Sequence, residues 1–451
     1  MREIVARQRP LRPRDLDHEH AREVKRMSEI LDELPGDFLA LVHRDLVANG
    51  RSPLKGRKAM TAEQVLRAII IKQMNGYSYR RLAFHLQDSN TYQAFCRLPP
   101  GKAPKKAALQ QNIKRVRPET MELVNRAILE RAKVDGVEKG RKVRTDCTVT
   151  ETNIHDPTDS SLLRDCVRVL TRLMEQGSKV LPISFSRHTK RANRRALGIL
   201  NAKNEEQRRP LYRDLITVTG QTLDDATRYV GRLKNWKIKT LKEELLQPWL
   251  IAELERVMGL TLRVIDQTER RVFKGESVPS GEKLVSIFEV HTDIIKKSRR
   301  ETEFGHKIAL TTGQSTLILD CVVLEGNPAD SELARQMIER QIEIYERPPR
   351  QAAFDGGFAS QANVEDIKGQ GVKDVMFSKK RGLKVLEMVK SSWVYQRLRN
   401  FRAGIEGGIS FLKRCFGLDR CTWRGFTSFK AYIWSSIVTA NLLILARHKI
   451  A

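Results

Sequence analysis

Apolar residues recur at helical spacing through the first third of the chain. A helical lead-in runs around Val24 to Leu34. Thr61 and Gln64 have the spacing of a capping box, opening a helix whose apolar face is Val65, Ile69, Ile70 and Met74 and which Asn75-Gly76 closes. Ser78 caps a second short helix, YRRLAFHL, and Asp88-Ser89 restarts a third from Tyr92 to Leu98. From Arg141 the period changes to two: Val143, Thr145, Cys147 and Val149 alternate with Arg144, Asp146 and Thr148, which predicts a strand with an acid on one face. Ser160 to Gly177 returns to a helical pattern ending at a glycine suited to a left-handed cap, and helices continue to about Met258. Strand period comes back at Lys283 to Val290, at His306 to Leu310 and at Thr316 to Leu324, the last two joined by a Gly-containing turn into an antiparallel hairpin. A helix follows from Ser331 to Tyr345, then strands at Gln351 to Asp355 and Val372 to Phe377, then a long helix around Asn400 to Arg414. With the helical insert removed, this is the element order of a ribonuclease-H-like α/β domain.

Composition adds a partner class. The 82 Lys and Arg against 54 Asp and Glu in 451 residues leave a formal net charge of +28, which favours polyanions, nucleic acid first and an anionic membrane surface second. The excess is concentrated. Residues 51–118 hold fifteen basic residues and two acids, while the first 50 are balanced. Short helices joined by tight polar turns in a basic segment suggest a helix-turn-helix, with Arg80, Arg81, Lys114 and Arg115 as candidate DNA contacts; the alternative is the solvated basic face of a structural helical domain. Arg187 to Arg213 is a second basic stretch, a polyanion surface or a solvated helix face. The six cysteines are scattered without C-x-x-C pairs and are expected to be reduced. The N-terminus lacks the apolar stretch of a secretory signal, so the cytoplasm is the expected location. Phe429 to Ala446 approaches the length of a span, but its Lys430, Ser435, Ser436, Thr439 and Asn441 favour a buried helix, and no membrane role is expected.

Three carboxylates stand out: Asp146 in the first strand, Asp355 at the carboxyl end of the strand that begins at Gln351, and Glu406 on the long helix. Arg402 and Lys413 share a helix face with Glu406. Gly404, Gly407 and Gly408 interrupt that helix at about 1 kcal/mol each relative to Ala, which close approach of another group would offset. Three such acids can hold two divalent cations about 4 Å apart for in-line phosphodiester displacement, with Mg²⁺ favoured and Mn²⁺ as substitute. Arg402 and Lys413 are then expected to contact DNA phosphates. By spacing alone, each of the three acids reads equally as a surface or salt-bridged carboxylate.

Arg402-x3-Glu406-x6-Lys413 resembles the signature around the catalytic glutamate of DDE transposases of bacterial insertion sequences. Arg399 stands where that signature has tyrosine. The blocks RTDCTVTETNIHDPTDSSLL, FEVHTDII, EFGHKIALTTG, VLEGNPADS, AAFDGGFAS and FRAGIEGGISFLKRCFGLDR are similar to those of ISNCY-type members, as is MTAEQVLRAIIIKQMNGYSYRRLAFHLQDS near the N-terminus. Asp156 and Val290 depart from those blocks. The resemblance implies Asp146, Asp355 and Glu406 as catalytic metal ligands and Arg399, Arg402 and Lys413 as DNA contacts. Element order and charge, with that resemblance from about residue 60 onward, give the expected domains: a helical, helix-turn-helix-like DNA-binding domain at 1–135 and a ribonuclease-H-like catalytic domain at 136–451 with a mainly helical insertion at about 160–282. The implied activity is binding of terminal inverted repeats followed by metal-dependent cleavage and strand transfer into target DNA, in a homodimer or larger complex. His155, Asp159, His291 and His306 lie in similar blocks, and most are expected to be structural. The competing readings are a metal-dependent nuclease on the same fold and an inactive copy that only binds DNA.

Overall fold

The computed structural model describes residues 4, 16–48, 59–99, 101–179, 183–296 and 301–450, so residues 51–58 of the basic stretch and 180–182 of the expected insertion lie outside the description. Seven helices come first: α1 (Glu19–Glu33), α2 (Phe38–Val47), α3 (Ala62–Met74), α4 (Tyr79–Asp88), α5 (Asn90–Phe95), α6 (Lys106–Ile113) and α7 (Pro118–Val134). Strand β1 (Lys142–Glu151) leads into helices α8 (Asp159–Ser178), α9 (Thr189–Asn201), α10 (Glu205–Lys234) and α11 (Leu241–Val272), then strand β2 (Asp293–Lys296). The remainder is β3 (Thr302–Thr312), β4 (Ile318–Val323), α12 (Ala334–Tyr345), β5 (Gln351–Phe354), α13 (Gln361–Gly369), β6 (Asp374–Phe377), α14 (Val385–Met388), α15 (Ser392–Phe416) and α16 (Phe426–Ile450). The chain divides into two compact units, one made of Met1–Asn153 with Gly305–Ala451 and the other of Ile154–Phe304.

In the first unit the capping box at Thr61 forms in full, Thr61 and Gln64 each accepting the other's amide at 3.1 Å. Helix α3 is not one-faced as its pattern suggested: every residue from Ala62 to Gln73 is buried. Its charges tolerate this because they are partnered. Arg67 donates to Glu63, Asp32, Ser28 Oγ and the Phe95 carbonyl, and Arg97 donates to the same two acids.

Helix α16 packs against α1, α3, α7, α15 and β4. Among the described residues it is the one helix long and apolar enough to cross a membrane, but 89% of its apolar window is buried. The uncharged polar residues that broke its pattern are satisfied internally. Ser435 donates to the Ala431 carbonyl and Thr439 to the Ser435 carbonyl. Asn441 accepts from the Ile318 amide at 2.9 Å while donating to Asn125 Oδ1 and the Ile318 carbonyl, both at 2.7 Å.

The sheet is mixed. Its path runs β4-β3-β1-β5-β6, with β2 as the sixth strand beside β3. β1 is antiparallel to β3 and parallel to β5, β3 and β4 form the expected hairpin, and β5 and β6 are parallel. β5 and β6 are buried almost throughout, as parallel strands covered on both faces are.

The second unit is mainly helical, with a core drawn from α8, α10 and α11 around Leu163, Val167, Leu170, Val218, Tyr229, Leu250 and Leu254. Two expectations are corrected there. Gly177 is no left-handed cap: it lies inside α8, where a Cβ would collide with Leu250 and the Tyr229 hydroxyl, so the glycine serves close helix packing. Lys283 to Val290 is not a strand. Gln267 accepts from the Leu284 amide and donates to its carbonyl, and Ser286 Oγ accepts from the Phe288 and Glu289 amides, so side chains do the work of a ladder. Leu284 and Ile287 are buried by that turn, which accounts for the apolar pattern.

Candidate active site

Strand register brings two acids together. Thr145 of β1 pairs with Phe354 of β5, so the residues that follow, Asp146 and Asp355, stand side by side where β5 ends. Asp146 Oδ1 accepts from the Cys147 amide at 2.8 Å, and Asp355 Oδ1 accepts from Ser378 Oγ at 2.9 Å. Helix α15 packs across β1, β5 and β6. Arg144 fastens it, donating from Nε to Thr312 Oγ1 at 2.8 Å and from Nη1 to the Phe401 carbonyl at 2.6 Å. The Phe401 ring lies under both Arg144 and Lys142, at 4.6 and 4.3 Å. A Cβ at Gly404 would collide with the Arg144 guanidinium, so this glycine permits the approach; Gly407 and Gly408 have nothing within 4 Å, and the structure does not explain them.

The fastening places Arg402 among all three acids. Its Nη2 lies 2.8 Å from Asp146 Oδ2 and 2.9 Å from Asp355 Oδ1, and its Nη1 lies 2.7 Å from Glu406 Oε1. Arg402 is thus turned inward, whereas the spacing suggested a phosphate contact. Glu406 is 66% exposed, against 15% for Asp146. The two aspartates differ electrostatically. Burial pushes Asp146 up to about 6, Asp355 and Asp330 adding to the push and Arg402 opposing it. Burial acts the same way on Asp355, but the Gly356 amide, Ser378 and Arg402 outweigh it and hold that carboxyl below the usual range.

A fourth acid escaped the sequence reading. Asp330 sits in a 3-10 turn, Asp330–Glu332, where its carboxylate meets Lys307 at 2.5 Å, and Lys307 also donates to the Pro328 carbonyl at 2.7 Å. A Cβ on Gly357 would collide with Asp330, so the turn abuts the segment that carries Asp355. The VLEGNPADS block contains Asp330, but nothing in its spacing pointed at Lys307, which is 23 residues away in sequence.

A cavity of about 560 Å³ adjoins the acids, lined by Cys147, Thr148, Glu406, Ser410, Lys413 and Asp419 among others. Lys413 therefore reaches the same side of α15 as Glu406. Arg399 is exposed one turn before Arg402. Arg80 and Arg81 are exposed on α4 with the 60%-exposed Phe84, and Lys114 is exposed at the end of α6, where Arg115 is half-buried. These basic residues are not brought to the acid cluster by any contact the structure describes.

The histidines take structural partners. His306 is buried against Phe426 and Phe429, His155 is 2.8 Å from Asp165 and His291 is 2.9 Å from Glu289, while Asp159 pairs with Arg271. Burial pushes the thiol of Cys147 well above its ordinary pKa, away from the reactive thiolate.

Among the described residues no group of three His, Cys, Asp or Glu side chains is arranged to hold a metal ion as it stands. The donor set nevertheless suits one. It consists of carboxylate oxygens only, the ligand type of hard divalent cations, and a positive group already stands where they converge.

Comparison with known families bears on the same residues. The family model for the transposase DDE domain matches residues 258–442, a span that includes Asp355, Glu406 and Lys413 and leaves Asp146 outside. The model "Transposase domain (DUF772)" matches residues 14–115, which include α1 to α6. No curated protein and no solved structure matches the chain. A basic chain that carries one transposase model over its N-terminal helices and another over its acid-bearing strand and helix belongs to the DDE transposases of insertion sequences.

Proposed function

We propose that this transposase binds the terminal inverted repeats of its element and catalyses metal-dependent cleavage and strand transfer at Asp146, Asp355 and Glu406. The observation that carries the reading is the meeting of these three carboxylates around one cationic group at the strand ends. Bound Mg²⁺, with Mn²⁺ as substitute, would supply activation of the attacking oxygen and stabilisation of the leaving one. Asp146, oriented by the amide of Cys147, and Asp355, oriented by Ser378 at the end of β6, would hold the metal, and Glu406 would complete the set from α15.

The strand path β4-β3-β1-β5-β6, with one antiparallel hairpin and two parallel partners, supports a ribonuclease-H-like catalytic domain at 136–451 carrying a helical insertion at about 160–282. Lys413 and Arg399 flank the acids on α15 and would steady the DNA backbone there. The helical region 1–135 would read the element ends. Support comes from the outer face of α4, which offers Arg80, Arg81 and an exposed aromatic in Phe84, with Lys114 and Arg115 following α6. Processing two ends together calls for a homodimer or larger assembly.

The test is cleavage of a DNA fragment bearing the element end, with Mg²⁺ or EDTA, by the unaltered chain and by Asp146→Asn, Asp355→Asn and Glu406→Gln. Boundary-specific, metal-requiring cleavage that each substitution abolishes while binding persists is the expected result. Metal-dependent cutting without end preference would instead indicate a nuclease, and tight binding without cleavage an inactive copy.

A further inference from the structure

We propose that Arg402 is the resident counter-ion of the three acids and vacates them when a divalent cation binds, so that metal loading frees a guanidinium for the DNA backbone; this rests on the metal-dependent reading above. Arg402 and a metal ligated by the same oxygens exclude each other. Metal–oxygen bonds of about 2.0–2.6 Å would need the oxygens that Arg402 now holds, and two positive groups a few ångströms apart repel.

The grip of Arg402 is also incomplete, in contrast with that of Arg67, Arg144 and Arg340. Arg67 directs Nε to Glu63, Arg144 directs Nε to Thr312 and Arg340 directs Nε to Asp320. Arg402 Nε is buried without a hydrogen-bond partner, so only the tips of its fork are engaged. One positive charge faces three carboxylates, and exchange of Arg402 for a divalent cation would halve the excess of negative charge. The side chain has somewhere to go, since the 560 Å³ cavity opens beside Glu406, its own neighbour one helical turn on, and carries Lys413 and Arg414 in its wall. A phosphate drawn to those two cations would meet the released guanidinium.

The experiment is titration of the full chain with Mn²⁺ in the absence of DNA, read by calorimetry, together with melting in EDTA and in Mn²⁺. Arg402→Gln should bind Mn²⁺ on the order of tenfold or more tightly than the unaltered chain, because no ion has to be displaced. It should also melt lower in EDTA and gain more from Mn²⁺. Arg402→Lys, which keeps the charge without the fork, should fall between the two and serves if the glutamine variant folds poorly. Equal or weaker Mn²⁺ binding by Arg402→Gln, with Asp355→Asn abolishing binding, would overturn the role of Arg402 and leave the metal site standing. Absence of Mn²⁺ binding that any of these acids affects would overturn both.

Discussion

Replacing Lys72 with methionine keeps the aliphatic stem and removes a charge from the core of the first unit. Lys72 is 4% exposed, its ammonium lying 5.2 Å from the centre of the Tyr79 ring and 5.6 Å from that of Trp423. Burial lowers its pKa from 10.5 to about 8, outweighing the nearby Cys421 sulfur. At roughly 1.4 kcal/mol per pKa unit that fall corresponds to about 3 kcal/mol. Because the folded pKa lies below the unfolded one, the unfolded chain binds more protons between about pH 8 and 10.5, and this residue makes stability rise with pH across that window. The two ring faces return on the order of 0.5–2 kcal/mol to the charged form, so the net swing should be about 2 kcal/mol. The assay is urea unfolding of both proteins by circular dichroism from neutral pH to about 10.5. The variant should be the more stable at neutral pH, and its advantage should shrink by that amount as Lys72 deprotonates. An advantage that stays constant over the whole window would show that the lysine titrates as a solvated one, and the burial argument would be wrong.

Three further outcomes are expected. Gly404→Ala should push Arg144 off the Phe401 carbonyl and lower cleavage at least about tenfold with secondary structure retained, whereas Gly407→Ala, with open space around it, should cleave normally in the same assay. Arg340→Ala leaves Asp320, 1% exposed and now held by two bonds from that guanidinium, without its partner, and should cost about 3–5 kcal/mol in urea unfolding. Arg81→Ala should weaken DNA binding similarly across sequences and reduce the salt slope by about one if the residue holds a phosphate; an unchanged slope would remove α4 from the DNA path.

Much of the architecture was legible because it is local. The capping box at Thr61, the period-two run at Val143–Val149 and the hairpin around Gly313 each need only near neighbours. What misled was tertiary. Leu284 to Ile287 reads as a strand because all four residues are buried, but Gln267 on α11 supplies the backbone partners of Leu284. Arg67 and Lys72 gave α3 a polar side on paper, while Arg67 finds Asp32 from 35 residues away and Lys72 slides between two rings. At the acid cluster the sequence singled out three carboxylates as candidates, chiefly through the family resemblance, and the structure brings them around Arg402. The inward turn of Arg402 was not legible, because it depends on Asp146, 256 residues away, and on Arg144 holding the helix down.

The central position of α16 also bears on how the protein is made. This helix is synthesised after all the other elements described, yet it closes the core against α1, α3, α7, α15 and β4. The N-terminal helices must therefore wait through the translation of more than 300 residues before their apolar faces are covered. A chain interrupted before residue 426 lacks its keystone and offers exposed Ile, Leu and Val to chaperones and proteases.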